Sequence, residues 1–201
     1  MQIRAEHIRK ALSAALPGAA AHRKMLPIER TLTVPKNEKG IKHSSVLLLL
    51  FEENKELMVC LIKRPKHMKY HPGQIALPGG RIEKGETALE TAFRETYEEI
   101  GIPQDEIEIL GSLSELYVEV SKFRIQPFVG WLKKKPELII NPNEVEKTIF
   151  FPLKYFQNNP DEVELLTVNG KLKVPCIRFE GEIIWGATSM ILSELVAILN
   201  E

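Results

Sequence analysis

Two apolar runs, 46–51 (Val-Leu-Leu-Leu-Leu-Phe) and 57–62 (Leu-Met-Val-Cys-Leu-Ile), flank a short polar loop at 52–56. Each is far shorter than the roughly 18 apolar residues of a membrane span. Such a pair reads as a β-hairpin feeding a buried sheet. Strand-like runs follow at 107–113, 124–132 and 148–151, and a second hairpin, 172–179 with 182–185, turns at Glu180-Gly181. A short strand is expected at 74–77, and a short helix beginning at Tyr155-Phe156. Strands dominate the middle and helices are few, so the expected class is α+β, a sandwich rather than a doubly wound sheet.

The first 40 residues read differently. Ile8, Leu12 and Leu16 recur at i, i+4 and i+8, the pattern of an amphipathic helix that Pro17-Gly18 would terminate. Residues 18–43 are polar and broken by Pro27, Pro35 and Gly40, which suits a connector. Arg4, Arg9 and Lys10 precede an apolar stretch that is too short and Ala-rich for a secretory leader. The expected organisation is a helix and connector over 1–40 and one domain over 41–201, a size that a single core supports. A second amphipathic helix is expected at 188–200, with Ile191, Leu192, Leu195 and Leu199 inward. With no membrane span in view, the expected location is the cytoplasm.

The charge balance narrows the function. The 27 Lys and Arg residues match 27 Asp and Glu, so the basic surplus of a general nucleic-acid binder is missing. A small anion needs only a few local cations. Cys60 and Cys176 each sit in an apolar run without metal-ligand spacing, and are expected as buried free thiols.

Residues 87–100 form the clearest helix. Thr87 with Glu90 makes a capping box, and Gly101 followed by Pro103 marks the stop. Leu89, Ala92, Phe93, Thr96 and Ile100 share one stripe, which should face the core. Glu95, Glu98 and Glu99 stand at i, i+3 and i+4, placing three carboxylates on one face. Like charges at this spacing weaken a helix, and no lysine follows within it to compensate. A hard divalent cation such as Mg²⁺ would supply the missing charge.

Three glutamates on a helix are usually only a solvated face; the preceding loop changes that reading. Leu77-Pro78-Gly79-Gly80 brings bare backbone close to the helix, where its carbonyl and N–H groups can reach a metal or a phosphate. If the chain turns at Gly85, Glu86 can reach back to hold Arg94, and Arg94 can orient Glu95.

The segment Gly80–Ile102 resembles the Nudix box, Gly-x5-Glu-x7-Arg-Glu-apolar-x-Glu-Glu-x-Gly-apolar. Gly80, Glu86, Arg94, Glu95, Glu98, Glu99, Gly101 and Ile102 meet the pattern, and Thr96 departs from it where an aliphatic residue is usual. The resemblance implies a Nudix-type α/β/α sandwich, with a mixed sheet between helices and a catalytic loop-helix-loop, over 41–201. It also implies Mg²⁺- or Mn²⁺-assisted hydrolysis of a nucleoside diphosphate linked to another group. Glu95, Glu98 and Glu99 become metal ligands, joined by the Gly80 carbonyl, with Glu86 and Arg94 as a structural pair. The general base is either Glu95 or an acid from a later loop, for which Glu144 is the candidate.

Upstream, LIKRPKHMKYHPGQIALPGG is similar to the motif that precedes the box in coenzyme A pyrophosphatases. Arg64, His71, Gly73, Gln74 and Pro78-Gly79-Gly80 agree, while Ile62, Pro65, Lys69 and Leu77 differ. IIWGATSMIL resembles a C-terminal segment of the same subfamily, with Ala187 and Ser189 differing. The implied substrate is coenzyme A or a derivative, cut to 4′-phosphopantetheine and 3′,5′-ADP. The alternatives are another nucleoside diphosphate derivative or a catalytically silent sensor, and a silent form should have lost box glutamates that this chain keeps. Lys63, Arg64, Lys66, His67 and Lys69 form a cationic cluster for the 3′-phosphate, with Arg64 its best candidate; Lys133–Lys135 reads as an ordinary strand-end charge run. The partner expected is therefore a small nucleoside diphosphate, with neither nucleic acid nor membrane; association as a homodimer is left open.

Overall fold

The computed structural model describes residues 5–28, 30–35, 39–156, 160–167 and 170–200. Arg4 and parts of the connector lie outside them. In chain order the elements are α1 (Ala5–Leu12), α2 (Ala19–His22), β1 (Lys42–Glu53), β2 (Glu56–Lys63), β3 (Ile75–Ala76), β4 (Gly79–Arg81) and α3 (Ala88–Ile100). There follow β5 (Glu108–Ser112), β6 (Leu116–Val118), β7 (Phe123–Trp131), β8 (Lys147–Pro152), β9 (Asp161–Thr167), β10 (Gly170–Phe179), β11 (Glu182–Trp185) and α4 (Gly186–Leu199).

The two apolar runs pair as an antiparallel hairpin, Leu50 opposite Val59 and Glu53 opposite Glu56. The main sheet is ordered β3-β2-β1-β7-β5, with β4 also on β1, β6 on β7 and β8 on β2. The β1–β7 pair is parallel and its other pairs are antiparallel, so the sheet is mixed. Alternate side chains of a strand point to opposite faces, and here both faces are covered. Leu48, Leu50, Val59 and Leu61 join a cluster with Ile191, Leu192 and Leu195 of α4 and Ile8 and Leu12 of α1. Leu47, Leu49, Phe51, Met58, Cys60 and Ile62 join another with Ala92 and Ile100 of α3. Burial on both faces is why β1 and β2 are continuously apolar rather than alternating. The result is the α+β sandwich expected, helix against sheet against helix. Cys60 and Cys176 are free and buried.

Several elements differ from the sequence reading. α1 ends at Leu12, five residues before Pro17, and half-buried Leu16 lies beyond it. The expected connector contains α2 and a 3-10 turn at Arg23–Met25. A 3-10 turn at Leu153–Tyr155 ends where a helix was expected to begin. β6 and β9 were not foreseen: β6 is only three residues long, and β9 is charge-rich, with Lys171–Glu164 and Lys173–Glu162 pairs joining it to β10.

α4 is not amphipathic. Ser189, Ser193 and Glu194 are buried along with Ile191, Leu192 and Leu195, while Leu199 is only half-buried. The polar side is covered by the N-terminal segment. The Glu194 carboxylate accepts from the backbone N–H of Gly18 (3.0 Å) and of Ser114 (3.2 Å), and lies 3.0 Å from His22 Nε2. Burial pushes this carboxyl up, but the bonds from His22, Ser114 and Gly18 outweigh it and hold it below its usual range. A polar side chain thus joins three distant stretches of chain, which hydrophobic periodicity cannot register.

Candidate active site

The site is built on α3. Thr87 Oγ1 accepts from the Glu90 N–H at 3.2 Å, and Glu90 Oε2 accepts from the Thr87 N–H at 2.7 Å, so the box caps the helix reciprocally. At the other end Gly101 adopts φ 75°, a left-handed conformation suited to glycine, and its N–H bonds Tyr97 O at 2.9 Å. A Cβ there would also press on Ile139. These two termini fix which residues face the sheet.

The glycine loop is clamped to β1. Gly79 lies opposite Val46 and Gly80 opposite Ser45, and the Leu47 N–H donates to Pro78 O at 2.9 Å. A Cβ on Gly79 would run into the Ser45 carbonyl oxygen, and one on Gly80 into the Glu95 carboxylate. The bare backbone therefore lets Glu95 lie against the loop. The Gly79 N–H donates to Glu99 Oε2 at 2.9 Å.

The three carboxylates of the acidic face of α3 differ in burial. Glu99 is turned inward and 2% exposed, whereas the Glu98 side chain is 47% exposed. On a helix adjacent positions diverge by about 100°, and the Gly79 bond draws Glu99 under the loop. Glu144 joins Glu95 and Glu99: ligand oxygens of the three lie within 4.8 Å of one another. Glu144 arrives there because the loop before β8 docks on the end of α3, with the Ile139 N–H bonded to Ile100 O and the Asn141 N–H to Glu99 O, both at 3.0 Å. Asn141 then caps the turn that carries Glu144. Asn141 and Gly79 are contributors that the sequence reading did not single out by role; only the glycine had a signal, its place in a Pro-Gly-Gly run.

Electrostatics follow from this crowding. Burial pushes the Glu99 carboxyl up to about 8, opposed by the Gly79 hydrogen bond and reinforced by the neighbouring charges of Glu95 and Glu144. Burial also raises Glu95, against the pull of Arg94. Three converging carboxylates, two of them shifted upward by burial, are a hard oxygen donor set. That set fits Mg²⁺ or Mn²⁺ and does not suit a soft metal.

Arg94 bridges the acids. Its Nε and Nη2 donate to Glu86 (2.6 and 3.0 Å), and its Nη1 to Glu95 (2.9 Å) and Glu98 (3.1 Å). Bonds from Arg94, Thr91 and the Glu83 N–H hold the Glu86 carboxyl down at about 2.

The upstream basic segment is split. Lys63 is tied to Glu182 (2.9 Å) and Glu146 (3.3 Å), so it does not belong to the expected cationic cluster; β8 and β11 bring those acids beside the end of β2. Arg64 points the other way, with Nη1 3.9 Å from Glu99 Oε1. Lys66, His67, Lys69 and His71 are exposed on the loop between β2 and β3. The Arg64 N–H bonds Gln74 O at 3.0 Å, and Gln74 Oε1 lies 3.0 Å from His71 Nδ1, which closes the loop's neck. Lys135, at the other basic run, pairs with Glu53 at 3.0 Å.

The chain resembles known proteins in sequence and in fold. The family model described as the NUDIX domain matches residues 41–167. Nudix hydrolase 3 of Caenorhabditis elegans is 37% identical over 112 residues, 54% of this chain and 47% of the relative. The peroxisomal coenzyme A diphosphatase ndx-8 of the same organism is 34% identical over 127 residues, 61% of this chain and 54% of the relative. The chain thus spans about half the length of these two relatives. Among solved structures, a MutT/nudix family protein from Enterococcus faecalis superimposes with a TM-score of 0.54 at 18% identity, covering 100% of this chain and 76% of that one; it speaks for the fold alone.

Proposed function

This chain belongs to the Nudix family, and from that premise we propose that it hydrolyses the pyrophosphate bond of coenzyme A or its derivatives, yielding 4′-phosphopantetheine and 3′,5′-ADP. The observation that carries the hydrolase reading is the convergence of Glu95, Glu99 and Glu144 beside the Gly79-Gly80 backbone. Glu95 and Glu99, with Glu98 at the exposed rim and the Gly80 carbonyl as the family resemblance implies, would hold Mg²⁺ or Mn²⁺, leaving Glu144 beside them as a base. When bound, the metal neutralises the pyrophosphate and lowers the pKa of water.

The chain's own residues do the rest. Arg94, anchored by Glu86, fixes the orientation of Glu95. Glu144 takes a proton from the attacking water, whose oxygen bonds to one phosphorus as the bridging P–O bond breaks and its oxygen leaves with the other phosphate. Glu144 suits that role because it sits on a loop, held at its turn by Asn141, rather than on the rigid helix.

Support for coenzyme A is the upstream motif, Arg64, His71, Gly73 and Gln74, together with the relative named as a coenzyme A diphosphatase. Lys69 and its exposed loop neighbours would meet the 3′-phosphate, with His71 and Gln74 shaping the loop. No helix among the described residues is long and apolar enough to cross a membrane, in keeping with a proposed cytoplasmic site of action. The test is incubation with Mg²⁺ or Mn²⁺ and a panel of coenzyme A, 3′-dephospho-coenzyme A, ADP-ribose and dinucleoside polyphosphates, with products identified by mass. Turnover of coenzyme A to the two named products is expected. Turnover of the others with coenzyme A ignored would overturn the substrate assignment and leave the family hydrolase intact.

A further inference from the structure

Arg64 stands one residue beyond β2, with its backbone fixed by the bond to Gln74 O. Its neighbour Lys63 is committed to Glu182 and Glu146. Among the described residues Arg64 has no comparable partner. The closest carboxylate oxygen, Glu99 Oε1, is 3.9 Å away, past hydrogen-bond reach, and the buried Nε has no hydrogen-bond partner among the described residues. Its side chain is only 21% exposed. A guanidinium stays charged at any working pH and carries five N–H donors in a rigid fork. Leaving a buried donor unfilled is costly, so a largely buried guanidinium with an unpartnered Nε beside a carboxylate centre is a binding group for an oxyanion shared with that centre.

The geometry points to Arg64 as the residue that grips the scissile pyrophosphate itself, rather than the 3′-phosphate. This rests on the pyrophosphatase reading above. The 3′-phosphate of coenzyme A is attached to the ribose several bonds from the 5′-pyrophosphate, whereas Arg64 lies against Glu99 at the centre where the pyrophosphate must bind. The exposed loop bearing Lys66 and Lys69 is free to serve the distal group. Arg64 therefore acts on every pyrophosphate the enzyme cuts, and contributes nothing to discrimination by the 3′-phosphate.

The test compares wild type, Arg64→Ala and Arg64→Lys with Mn²⁺ on coenzyme A, 3′-dephospho-coenzyme A and ADP-ribose. Loss of a charge-assisted contact should lower kcat/KM about ten- to a hundredfold in Arg64→Ala, by a similar factor on each substrate that wild type turns over. Arg64→Lys should recover part of the loss, since it restores charge but not the fork. A loss confined to coenzyme A, or no loss, overturns the assignment. If wild type ignores coenzyme A but cuts ADP-ribose, the substrate reading fails and the Arg64 factor is read on ADP-ribose. Calorimetry of α,β-methylene-ADP binding with Ca²⁺ gives a measure independent of turnover: affinity should fall about tenfold or more in Arg64→Ala, scaled to the same contact, and equal affinity overturns the proposal. Arg64→Lys provides the folded comparison should the alanine variant melt early.

Discussion

Arg94 grips Glu86 with two donors, Nε to Oε1 at 2.6 Å and Nη2 to Oε2 at 3.0 Å, across the turn at Gly85. The same guanidinium reaches Glu95 and Glu98 with its remaining nitrogen. One cation therefore ties the segment leading into α3 to two of the helix's acids.

Arg94→Ala should lower both melting temperature and turnover, because Glu86 loses its partner and Glu95 its orientation. The pH dependence has a definite sign. The Glu86 carboxyl is depressed to about 2 in the folded protein, against roughly 4.3 unfolded. Its contribution is present above the unfolded value and is lost as pH falls through about 2. The difference in melting temperature between wild type and Arg94→Ala should therefore narrow as pH drops from 5 towards 2. A difference that stays constant over that range would remove the ion pair as its cause.

Glu99→Gln should reduce turnover by roughly two orders of magnitude or more if it removes the proposed anionic ligand from the centre. Its effect on folding is not that of a solvent-facing position, because Glu99 is 2% exposed. The carboxyl is raised to about 8, so ionising it opposes folding of the metal-free protein. That penalty grows as pH climbs from the unfolded value, roughly 4.3, and is complete above about 8. Metal-free wild type should lose melting temperature across this window while Glu99→Gln does not. Added Mg²⁺ should stabilise wild type more. Parallel pH profiles in the two proteins would refute the burial argument.

The two glycines of the loop should fail in different ways. In Gly80→Ala the new methyl meets the Glu95 carboxylate, a movable side-chain end, so the fold should survive while turnover falls about tenfold or more through misplacement of a reacting group. In Gly79→Ala the methyl meets the Ser45 carbonyl and Val46 Cα of β1 at a φ of 149°, so the fold itself should be destabilised. Thermal melts alongside kcat separate the two; equal stabilities would contradict the clamped-loop geometry.

Thr96 is fully buried, and its Oγ1 has no hydrogen-bond partner among the described residues. Thr96→Val keeps the β-branched shape and removes the unpaired hydroxyl. It should stabilise the protein by about 1 kcal/mol, a rise of roughly 2–4 °C in Tm for a domain of this size. An unchanged or lower Tm would mean that the hydroxyl is satisfied in solution.

The sequence by itself determined what local rules can carry. The capping box at Thr87 and the stop at Gly101 fixed α3, because caps act within one turn. The runs at 46–51 and 57–62 fixed the hairpin, because its two strands are joined by a short loop. The spacing of Arg94, Glu95, Glu98 and Glu99 on one helix exposed the acidic centre, and the turn at Gly85 put Glu86 within reach of Arg94. What only the tertiary structure decided depends on residues far apart in the chain. Glu144 joins Glu95 and Glu99 because a loop some 40 residues later docks on the end of α3. Glu98 is left at the rim and Glu99 is drawn inward by the Gly79 N–H. Lys63 is taken by Glu182, and α4 is buried because Glu194 finds Gly18, His22 and Ser114. Buried polar groups take partners wherever the fold supplies them, and periodicity along one segment carries no record of what will pack against it.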